Sequence, residues 1–333
     1  MKIDLPLTGD VGMAADTARR ASAAGADGVF TYEGPADVMF PLVLAADAAS
    51  HLDVYTNVAV GLPRNAMHLA YAAWDLQRLS GGRFALGLGS QIRRHVVDRF
   101  GAPWEQPVAQ LEELVAALRA IFACWHDGTP LDFDGRWNRH TYLPPTFLPK
   151  PIDAPPPVWL AALGPRMTTM AGRVADALVT HPMCSVEFVR ERTLVALEAG
   201  ADGAGRDSAP ALVAGVIVGA YSSAAEQAAA ETGVRGLLGF YCSTPAYRPV
   251  LDHHGWGELQ PALRDLTRAA RWDELADAMP DEVVATLSLC GDAASVGSAL
   301  SARYGDIAER IAVSLPYAVT DETLAALTAA VRR

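Results

Sequence analysis

Three polar side chains stand directly after short apolar segments and could carry chemistry: Glu33, Gln91 and His181. A carboxylate, an amide and an imidazole can orient a small molecule, and a histidine can exchange protons near neutral pH. The sequence shows neither a Ser–His–Asp arrangement nor a pair of carboxylates spaced for glycoside hydrolysis. So sparse a polar set suits an enzyme whose bound cofactor supplies the difficult chemistry. Alternatively, His181 has no chemical role and only forms a hydrogen bond with the backbone at the edge of the fold.

Two glycine-containing segments could bring backbone close to a ligand. Gly164, Pro165, Arg166 and Met167 lie between an apolar segment and a helix-like one. Backbone amides at a helix N-terminus, with an arginine beside them, suit a phosphate, and proline is tolerated in that first turn. Gly89 and Ser90 end the segment GLGS at 87–90. A plain helix cap in the first segment, and glycines fitted to a crowded barrel rim in the second, are the structural alternatives.

Metal binding is not expected from this sequence. The four cysteines, at positions 124, 184, 242 and 290, lie far apart and form no C-x-x-C pair, which favours reduced thiols over a metal site or a disulfide framework. His253 and His254 are adjacent. Neighbouring side chains in a helix or a strand point apart, and no third ligand is evident.

The composition limits the partners of the chain. Its 333 residues carry a formal net charge of −11, so most of the surface would repel a nucleic acid or an anionic membrane. The first residues do not combine a cationic and an apolar stretch as a signal peptide does, and no apolar run is long enough to span a bilayer. We therefore expect a soluble, cytoplasmic protein that acts on a small molecule.

The segments that would position these residues alternate between strand and helix. Predicted strands cover residues 2–6, 27–32, 53–60, 84–89, 158–163, 176–181, 211–221 and 310–316. Predicted helices cover residues 13–24, 36–50, 66–79, 105–125, 166–174, 186–204, a stretch from 224, 294–304 and 321–332. Two excursions rich in proline, glycine and aromatic residues interrupt the alternation, at about 127–157 and 240–281.

Strands that are nearly continuous apolar runs indicate a parallel sheet covered on its outer side. Eight such units can close, so we predict an α/β fold, a (β/α)8 TIM barrel with insertions after helix 4 and helix 7 and one domain over 1–333. A doubly wound open sheet is the alternative, but residues 7–12 lack its G-x-G-x-x-G pattern. In a barrel, ligands bind where Glu33, Gln91 and His181 stand, at the carboxyl ends of the strands.

Two sequence motifs resemble a known family. WDLQRLSGGRF at 74–84, followed by LGLG at 86–89, is similar to the D-x-L-S-x-G-R … G-x-G signature of luciferase-like monooxygenases. AALGPRM at 161–167 and AGRVADA at 171–177 resemble the A-x-x-G-P … A-G-x-x-A-D-G segment of the same family. The similarity extends over nearly the whole chain. It looks closest to an actinobacterial subgroup of deazaflavin-dependent oxidoreductases, through GLGSQ, LRAIFACW and STPAYRPVLDHHGW.

The resemblance implies a barrel enzyme that binds coenzyme F420, which is a deazaflavin, or alternatively FMN. Gly164, Pro165, Arg166 and Met167 would hold the cofactor phosphate. A bulge in the third strand, with a non-prolyl cis peptide at Val58–Ala59, would support the back of the ring. Gly89 and Ser90 would also contact the cofactor.

At two positions the chain departs from the family pattern. Where the second strand usually ends in Asp-His, this chain has Glu33 and Gly34, so the carboxylate is kept and the imidazole is absent. Where some deazaflavin dehydrogenases have a proton-donating glutamate, this chain has Gln91, which can only hydrogen-bond. Glu33 and Gln91 would flank the ring, and His181 is the remaining imidazole placed for acid–base work.

The predicted reaction is hydride transfer between C5 of the deazaflavin and a small organic substrate. The alternatives are an FMN-dependent monooxygenase that receives reduced flavin from a separate reductase, and a non-catalytic ligand-binding barrel. Trp137, Tyr247 and Trp256 of the excursions could line a substrate pocket, but packing onto the barrel is the favoured interpretation. Family members commonly dimerise, so we expect a homodimer.

Overall fold

The computed structural model describes residues 1–7 and 9–332, and a closed ring of eight parallel strands forms its centre. The strands are β1 (Lys2–Pro6), β2 (Gly28–Thr31), β3 (Asp53–Thr56), β4 (Phe84–Gly89), β5 (Val158–Ala162), β6 (Ala177–Thr180), β7 (Ala211–Tyr221) and β8 (Arg310–Ser314). Neighbours pair in chain order, and β8 pairs back with β1, Arg310 opposite Lys2. The predicted (β/α)8 barrel is confirmed.

Helices surround the ring and bury its outer face. They are α1 (Ala14–Ala23), α2 (Phe40–Ala48), α3 (Ala66–Ser80), α4 (Pro107–Asp127), α5 (Pro165–Val174), α6 (Val195–Gly203), α7 (Ala224–Cys242), α8 (Arg248–His253), α9 (Leu259–Arg268), α10 (Asp281–Leu287), α11 (Ala293–Tyr304) and α12 (Asp321–Val331). A short turn, Val186–Phe188, and a π-helical segment, Val189–Leu194, lead into α6. None of the helices in the described residues is both long and apolar enough to cross a membrane.

The strands read as continuous apolar runs because both of their faces are covered. All six residues of β4 are buried. Side chains that point into the ring, among them Phe30, Tyr55 and Val179, pack against one another in its centre. Side chains that point outward, such as Leu86, pack with the helices in the main core.

Two elements differ from the sequence prediction. The predicted strand 53–60 is interrupted: β3 ends at Thr56, and Ala59–Val60 pairs separately with the end of β4. An additional strand, Ser288–Asp292, pairs with the outer half of β7, from Ile217 to Tyr221. Its sequence, SLCGD, is too short and too polar at its end to indicate a strand. It forms because β7, with eleven residues, extends beyond its neighbours and offers free backbone groups.

The two excursions fold against the barrel. The first contains an antiparallel pair, Phe133–Asp134 with Arg139–His140. The carboxylate of Glu113 in α4 accepts hydrogen bonds from the backbone amides that join these two strands, at residues 136–138. These bonds lower the pKa of Glu113 although its partial burial acts in the opposite direction. The second excursion is mainly helical and contains α8 and α9.

Charged residues fill the amino-terminal end of the ring. Arg310 donates to both carboxylate oxygens of Asp4, at 2.7 and 2.6 Å, and to Asp53 at 2.6 Å. The Tyr55 hydroxyl donates to Asp4 at 2.8 Å. Gly28 makes room for this cluster, because a Cβ there would lie 2.7 Å from Arg310 and from Asp4. The cluster lies at the end of the barrel opposite the predicted site, so we assign it to stability.

Candidate active site at the mouth of the barrel

A bulge after β3 brings backbone to the carboxyl-terminal mouth of the ring. The cis peptide bond joins Asn57 and Val58. The predicted position, Val58–Ala59, is therefore wrong by one residue. The reason lies in the register: the Thr56 hydroxyl still donates to the Gly87 carbonyl at 2.6 Å, and Ala59 is already paired opposite Leu88. The irregular backbone is therefore confined to Asn57 and Val58, between Thr56 and Ala59.

Two glycines of β4 accommodate this bulge. A Cβ at Gly87 would overlap the Thr56 carbonyl oxygen, and a Cβ at Gly89 would lie 2.7 Å from Cγ2 of Val58. At both glycines the neighbouring atoms belong to the bulge of this chain, at Thr56 and Val58. This agrees with the alternative that the glycines are needed to fit a crowded barrel rim. The result is a compact shelf formed by the bulge and the end of β4, which we call the β3–β4 shelf (residues 57–60 and 87–90).

Glu33 and Arg64 hold the shelf from one side. The two side chains form a bidentate ion pair, with Nη1–Oε2 and Nη2–Oε1 distances of 2.6 and 3.0 Å. The Glu33 carboxylate also accepts from the Val60 amide at 3.0 Å, and Arg64 donates to the Val60 carbonyl at 2.8 Å. The Glu33 amide donates to the Val58 carbonyl at 3.3 Å. This geometry favours a positioning role for Glu33 over that of a proton donor.

Sequence reasoning missed Arg64. The available signal was a single basic residue directly after Leu62-Pro63, in the loop that leaves the bulge. Its partner is 31 positions away in the chain, so no local spacing connects the two residues.

Gln91 lies beside the shelf in a left-handed backbone conformation, with φ of 60°. Its side-chain oxygen accepts a hydrogen bond from the Ile92 amide at 3.0 Å, and the Ser90 hydroxyl donates to its carbonyl at 3.2 Å. Because the side-chain oxygen is used within its own loop, the NH2 group of Gln91 is the part suited to a ligand. Gln91 can therefore donate hydrogen bonds at the mouth.

The N-terminus of α5 follows β5, the next strand in the ring after β4. Gly164 is the N-cap residue and Pro165 occupies the first turn, while no side chain caps this end of the helix. The Thr168 amide and hydroxyl both bond to the Gly164 carbonyl, at 3.0 and 3.1 Å. Arg166 is exposed and Met167 is half-buried. First-turn amides with an adjacent arginine form the arrangement that binds phosphate at helix N-termini.

His181 follows β6 and is enclosed by two tyrosines of the second excursion. Its ring centroid lies 4.1 Å from that of Tyr247 and 4.6 Å from that of Tyr241. The Met183 amide donates to Nδ1 at 3.3 Å, so the ring proton resides on Nε2. Burial lowers the pKa of His181 to about 3, because a charged imidazolium would lose its hydration. His181 is therefore a neutral hydrogen-bond donor rather than an acid–base group for neutral pH.

Three rings lie against one another after β6, and we call them the aromatic wall: His181, Tyr241 and Tyr247. Burial raises the pKa of Tyr241, and the nearby phenols of Tyr247 and Tyr32 add to the effect. Sequence reasoning missed Tyr241, and for Tyr247 it favoured packing over a place in a substrate pocket.

The other aromatic candidates of the excursions pack within them. Trp256 stacks on His254 at 4.7 Å, and His254 contacts the Ser185 hydroxyl at 2.8 Å. Trp137 donates to Glu105 at 3.2 Å, and Arg136 lies over its ring. Within residues 1–7 and 9–332, His, Cys, Asp and Glu side chains form no group of three that could hold a metal ion.

Comparison with known proteins assigns the chain to a family. The sequence model for luciferase-like monooxygenases matches residues 4–310. The chain belongs to this luciferase-like family. An uncharacterized protein from Mycobacterium tuberculosis is 41% identical over 313 residues, which cover 93% of this chain and 92% of that protein. A 5,10-methylenetetrahydromethanopterin reductase from Methanolobus tindarius is 27% identical over 260 residues, or 77% and 74% of the two chains.

Solved structures share the luciferase-like fold. The coenzyme F420-dependent tetrahydromethanopterin reductase from Methanopyrus kandleri superposes with a TM-score of 0.79 at 17% identity, over 98% of this chain and 95% of that chain. The oxygenating constituent of 3,6-diketocamphane monooxygenase from Pseudomonas putida, in complex with FMN, superposes with a TM-score of 0.68 at 14% identity, over 98% and 96%. Identities this low show a common fold, and that fold serves both deazaflavin and flavin enzymes.

Proposed function

We propose that this luciferase-like protein is an F420-dependent oxidoreductase that transfers a hydride between the deazaflavin and a small organic substrate. The observation that carries the proposal is the order of three features around the ring. The bulge follows β3, the glycines lie on β4 and the uncapped helix N-terminus follows β5. A flat ring with a phosphate-bearing side chain needs a backbone support and an anion site on neighbouring strands, and this order supplies both.

The residues at these positions fit such a cofactor. In the β3–β4 shelf, Val58 and Ser90 are half-buried and would contact the face of a ring, whereas Ala59 and Gly89 are buried and would support them from behind. Gly164, Pro165, Arg166 and Met167 would hold the phosphate through first-turn amides and the Arg166 guanidinium. A Cβ at Gly164 would contact nothing within 4 Å, so space for a ligand group exists beside this turn.

When bound, the deazaflavin supplies a carbon centre that accepts or donates two electrons and a proton as one hydride. The protein contributes orientation and hydrogen bonding. Glu33 and Arg64 keep the shelf in place, the Gln91 NH2 group donates to a ring or substrate oxygen, and Nε2–H of His181 offers a second donor across the mouth. Neutral donors of this kind orient a carbonyl or hydroxyl oxygen, and the proton that must accompany the hydride is exchanged with solvent water at the mouth.

Names of relatives support the deazaflavin over FMN. A candidate coenzyme F420-dependent oxidoreductase of Mycobacterium tuberculosis is 26% identical over 296 residues, which cover 84% of this chain and 83% of that protein. The FMN-dependent monooxygenase remains the second candidate, because the structure with FMN has the same fold.

Titration of the purified protein with each cofactor tests the proposal. We expect the intrinsic fluorescence of coenzyme F420 to report saturable binding, and FMN to bind at least tenfold more weakly. Arg166→Glu should weaken binding of the deazaflavin about tenfold, because it places a negative charge beside the phosphate. Tight FMN binding without deazaflavin binding would establish the second candidate instead.

We also propose a homodimer that forms through α2. Phe40, Val43 and Leu44 are exposed on the outer face of this helix, beside the exposed Asp47. Analytical ultracentrifugation should give twice the chain mass for the wild type and the single-chain mass for Phe40→Asp. Circular dichroism serves as the check that the variant remains folded, and a monomeric wild type would contradict the proposal.

A further inference from the structure

The segment that follows β4, residues 91–100, spans the exit of β3, and we call it the crossing loop. Arg99 of this loop donates to the Gly34 carbonyl, which lies beyond the end of β2, at 2.7 Å. In the ring, β3 pairs with β2 on one side and with β4 on the other. A contact between the segments that leave β2 and β4 therefore spans the place where the bulge lies. The crossing loop borders the β3–β4 shelf.

The crossing loop has a defined shape and presents basic side chains. The segment His95–Arg99 is a π-helical turn, and the Val96 side chain within it is fully buried. Turns of this kind are rare and are frequent at functional sites. Arg93 and Arg94 precede the turn, Arg99 ends it, and all three side chains are exposed. A turn that is fixed to the barrel thus carries three guanidinium groups beside the shelf.

These three guanidinium groups are not neutralised by the protein. Among residues 1–7 and 9–332, none of the three arginines forms an ion pair with a carboxylate. Arg19 and Arg20, which are likewise adjacent in the chain, pair with Asp16 and Asp321 at 2.7 and 2.6 Å. Adjacent arginines elsewhere in the protein therefore have partners, whereas those of the crossing loop leave their charge available to a ligand.

The concentration of positive charge has a cost for the folded chain. Burial lowers the pKa of His95, and the guanidinium groups of Arg99 and Arg94 lower it further, as a positive potential does. Asp98, the acidic residue of the loop, forms no ion pair with them among the described residues. Like charges held close together destabilise the compact state. A bound anion would relieve this repulsion.

The site at α5 does not account for this charge. The residues Gly164–Met167 follow β5, on one side of β4, whereas the crossing loop extends from β4 to the other side, towards β2. The cofactor phosphate is placed at α5 in the proposed function, so an anion at the crossing loop belongs to another ligand. Glu33 would not repel it strongly, because Arg64 pairs with that carboxylate at 2.6 Å.

We propose that Arg93, Arg94 and Arg99 form a second anion-binding site, which takes a carboxylate or phosphate group of the substrate and orients the substrate beside the shelf. Guanidinium groups suit such groups because they donate two parallel hydrogen bonds to a pair of oxygen atoms. The inference rests on the proposed function in calling the ligand a substrate, but the binding of an anion can be measured separately.

The keto acid 4-oxo-4-phenylbutanoate and its methyl ester form a matched pair of probes that differ by one negative charge. Both are titrated by calorimetry, at pH 7 and low salt, into the full-length protein loaded with oxidised deazaflavin, which cannot reduce a ketone. We expect the acid to bind about tenfold more tightly than the ester, and high salt to diminish the difference because it screens exposed charges. Equal affinities, tighter binding of the ester, or binding of neither probe overturns the inference.

Paired substitutions assign the preference to the crossing loop. Arg93→Gln combined with Arg94→Gln should weaken binding of the acid about tenfold and leave the ester unchanged, and the corresponding Glu substitutions should make the ester the tighter ligand. Arg19→Gln combined with Arg20→Gln is the control, because it changes the net charge equally at a distant helix. Loss of the preference in this control would assign it to the charge of the whole molecule and contradict the site. Arg99 also holds the loop to Gly34, so its substitution would not separate the two roles.

The affinity for the cofactor distinguishes the substrate from the deazaflavin as the source of the anion. In the variant with Arg93→Gln and Arg94→Gln, the dissociation constant for the deazaflavin should change by less than about twofold at moderate salt. A tenfold loss of cofactor affinity, with the preference for the acid intact, would assign the loop to the cofactor and overturn the inference. Failure of the wild type to bind the deazaflavin would reject the proposed function alone, since the same titrations without cofactor still test the loop.

Discussion

In water an imidazole titrates near pH 6.5, but that of His181 lies against the rings of Tyr241 and Tyr247. Burial removes the hydration that a charged imidazolium needs, and no carboxylate among its influences compensates. Residue type alone therefore indicates the wrong chemistry at this position. The role that remains is that of a neutral donor.

This burial predicts how stability depends on pH. The unfolded chain binds a proton at His181 near pH 6.5, whereas the folded chain binds it only near pH 3. Because the unfolded state holds more protons between these values, the free energy of unfolding should fall as the pH decreases below 6.5, by up to about 1.4 kcal/mol per pH unit from this group. Urea unfolding at pH 6.5 and 5.5 should show a smaller decrease for His181→Phe than for the wild type.

Nuclear magnetic resonance gives an independent check on the same residue. The ring protons of His181 should show no titration between pH 5 and 8. A midpoint for His181 near 6.5 would contradict the enclosure of its ring.

Glu33 provides the second prediction at this scale. Glu33→Gln removes the charge that pairs with Arg64 and weakens the hydrogen bond that the side chain accepts from the Val60 amide. Under the proposed function the shelf supports the cofactor, so the dissociation constant for the deazaflavin should rise about tenfold while kcat with saturating cofactor changes by less than about threefold. Asp16→Asn is the matched control, because it breaks an exposed ion pair with Arg19 that is worth little. A large loss of kcat with unchanged cofactor affinity would instead identify Glu33 as a proton-transfer group.

At the scale of elements, the bulge after β3 and the glycines of β4 form one unit. A methyl group at Gly87 would overlap backbone of Thr56, which cannot move without disturbing the pairing of both strands. A side chain at Gly89 would press on Val58 instead. The shelf and its glycines therefore depend on each other.

Gly87→Ala should destabilise the protein by about 1–3 kcal/mol, the usual cost of overpacking, and should also weaken cofactor binding. Gly236→Ala is the control: Gly236 lies inside α7 with nothing within 4 Å of a new Cβ, so it should stabilise by about 0.5–1 kcal/mol. Denaturant unfolding of both variants measures the difference. A neutral Gly87→Ala would mean that the bulge can move away from β4.

At the scale of the molecule, the two ends of the barrel differ in role: one contributes to stability and the other holds the candidate site. The amino-terminal end is closed by Asp4, Asp53, Tyr55 and Arg310, in which buried charges satisfy one another. The carboxyl-terminal end holds the shelf, the helix N-terminus and the aromatic wall. Variants at one end should therefore leave the properties of the other largely unchanged.

Asp4→Asn tests this separation. It leaves the buried Arg310 without its main partner and should lower the free energy of unfolding by about 3–5 kcal/mol, with the dissociation constant for the deazaflavin unchanged at temperatures where the variant is folded. Lys2→Met, which removes only the more exposed pair with Asp53, should cost less than about 1 kcal/mol. An equally small effect of Asp4→Asn would show that the cluster does not close the barrel.

The sequence by itself determined the eight-stranded barrel, the two excursions and the helix N-terminus at Gly164–Arg166. These features depend on local patterns: apolar runs, helical periodicity and a proline in the first turn of a helix. It also indicated a bulge near Val58, through resemblance, with the cis peptide one residue too late.

Only the tertiary structure decided what the site residues can do. The fold brings Arg64 to Glu33, and it brings Tyr241 and Tyr247 against His181. Contacts of this kind depend on which loops meet at the mouth of the barrel, and no spacing along the chain encodes that. The neutral state of His181 follows from the same closure, because the rings that exclude water from it belong to a distant excursion.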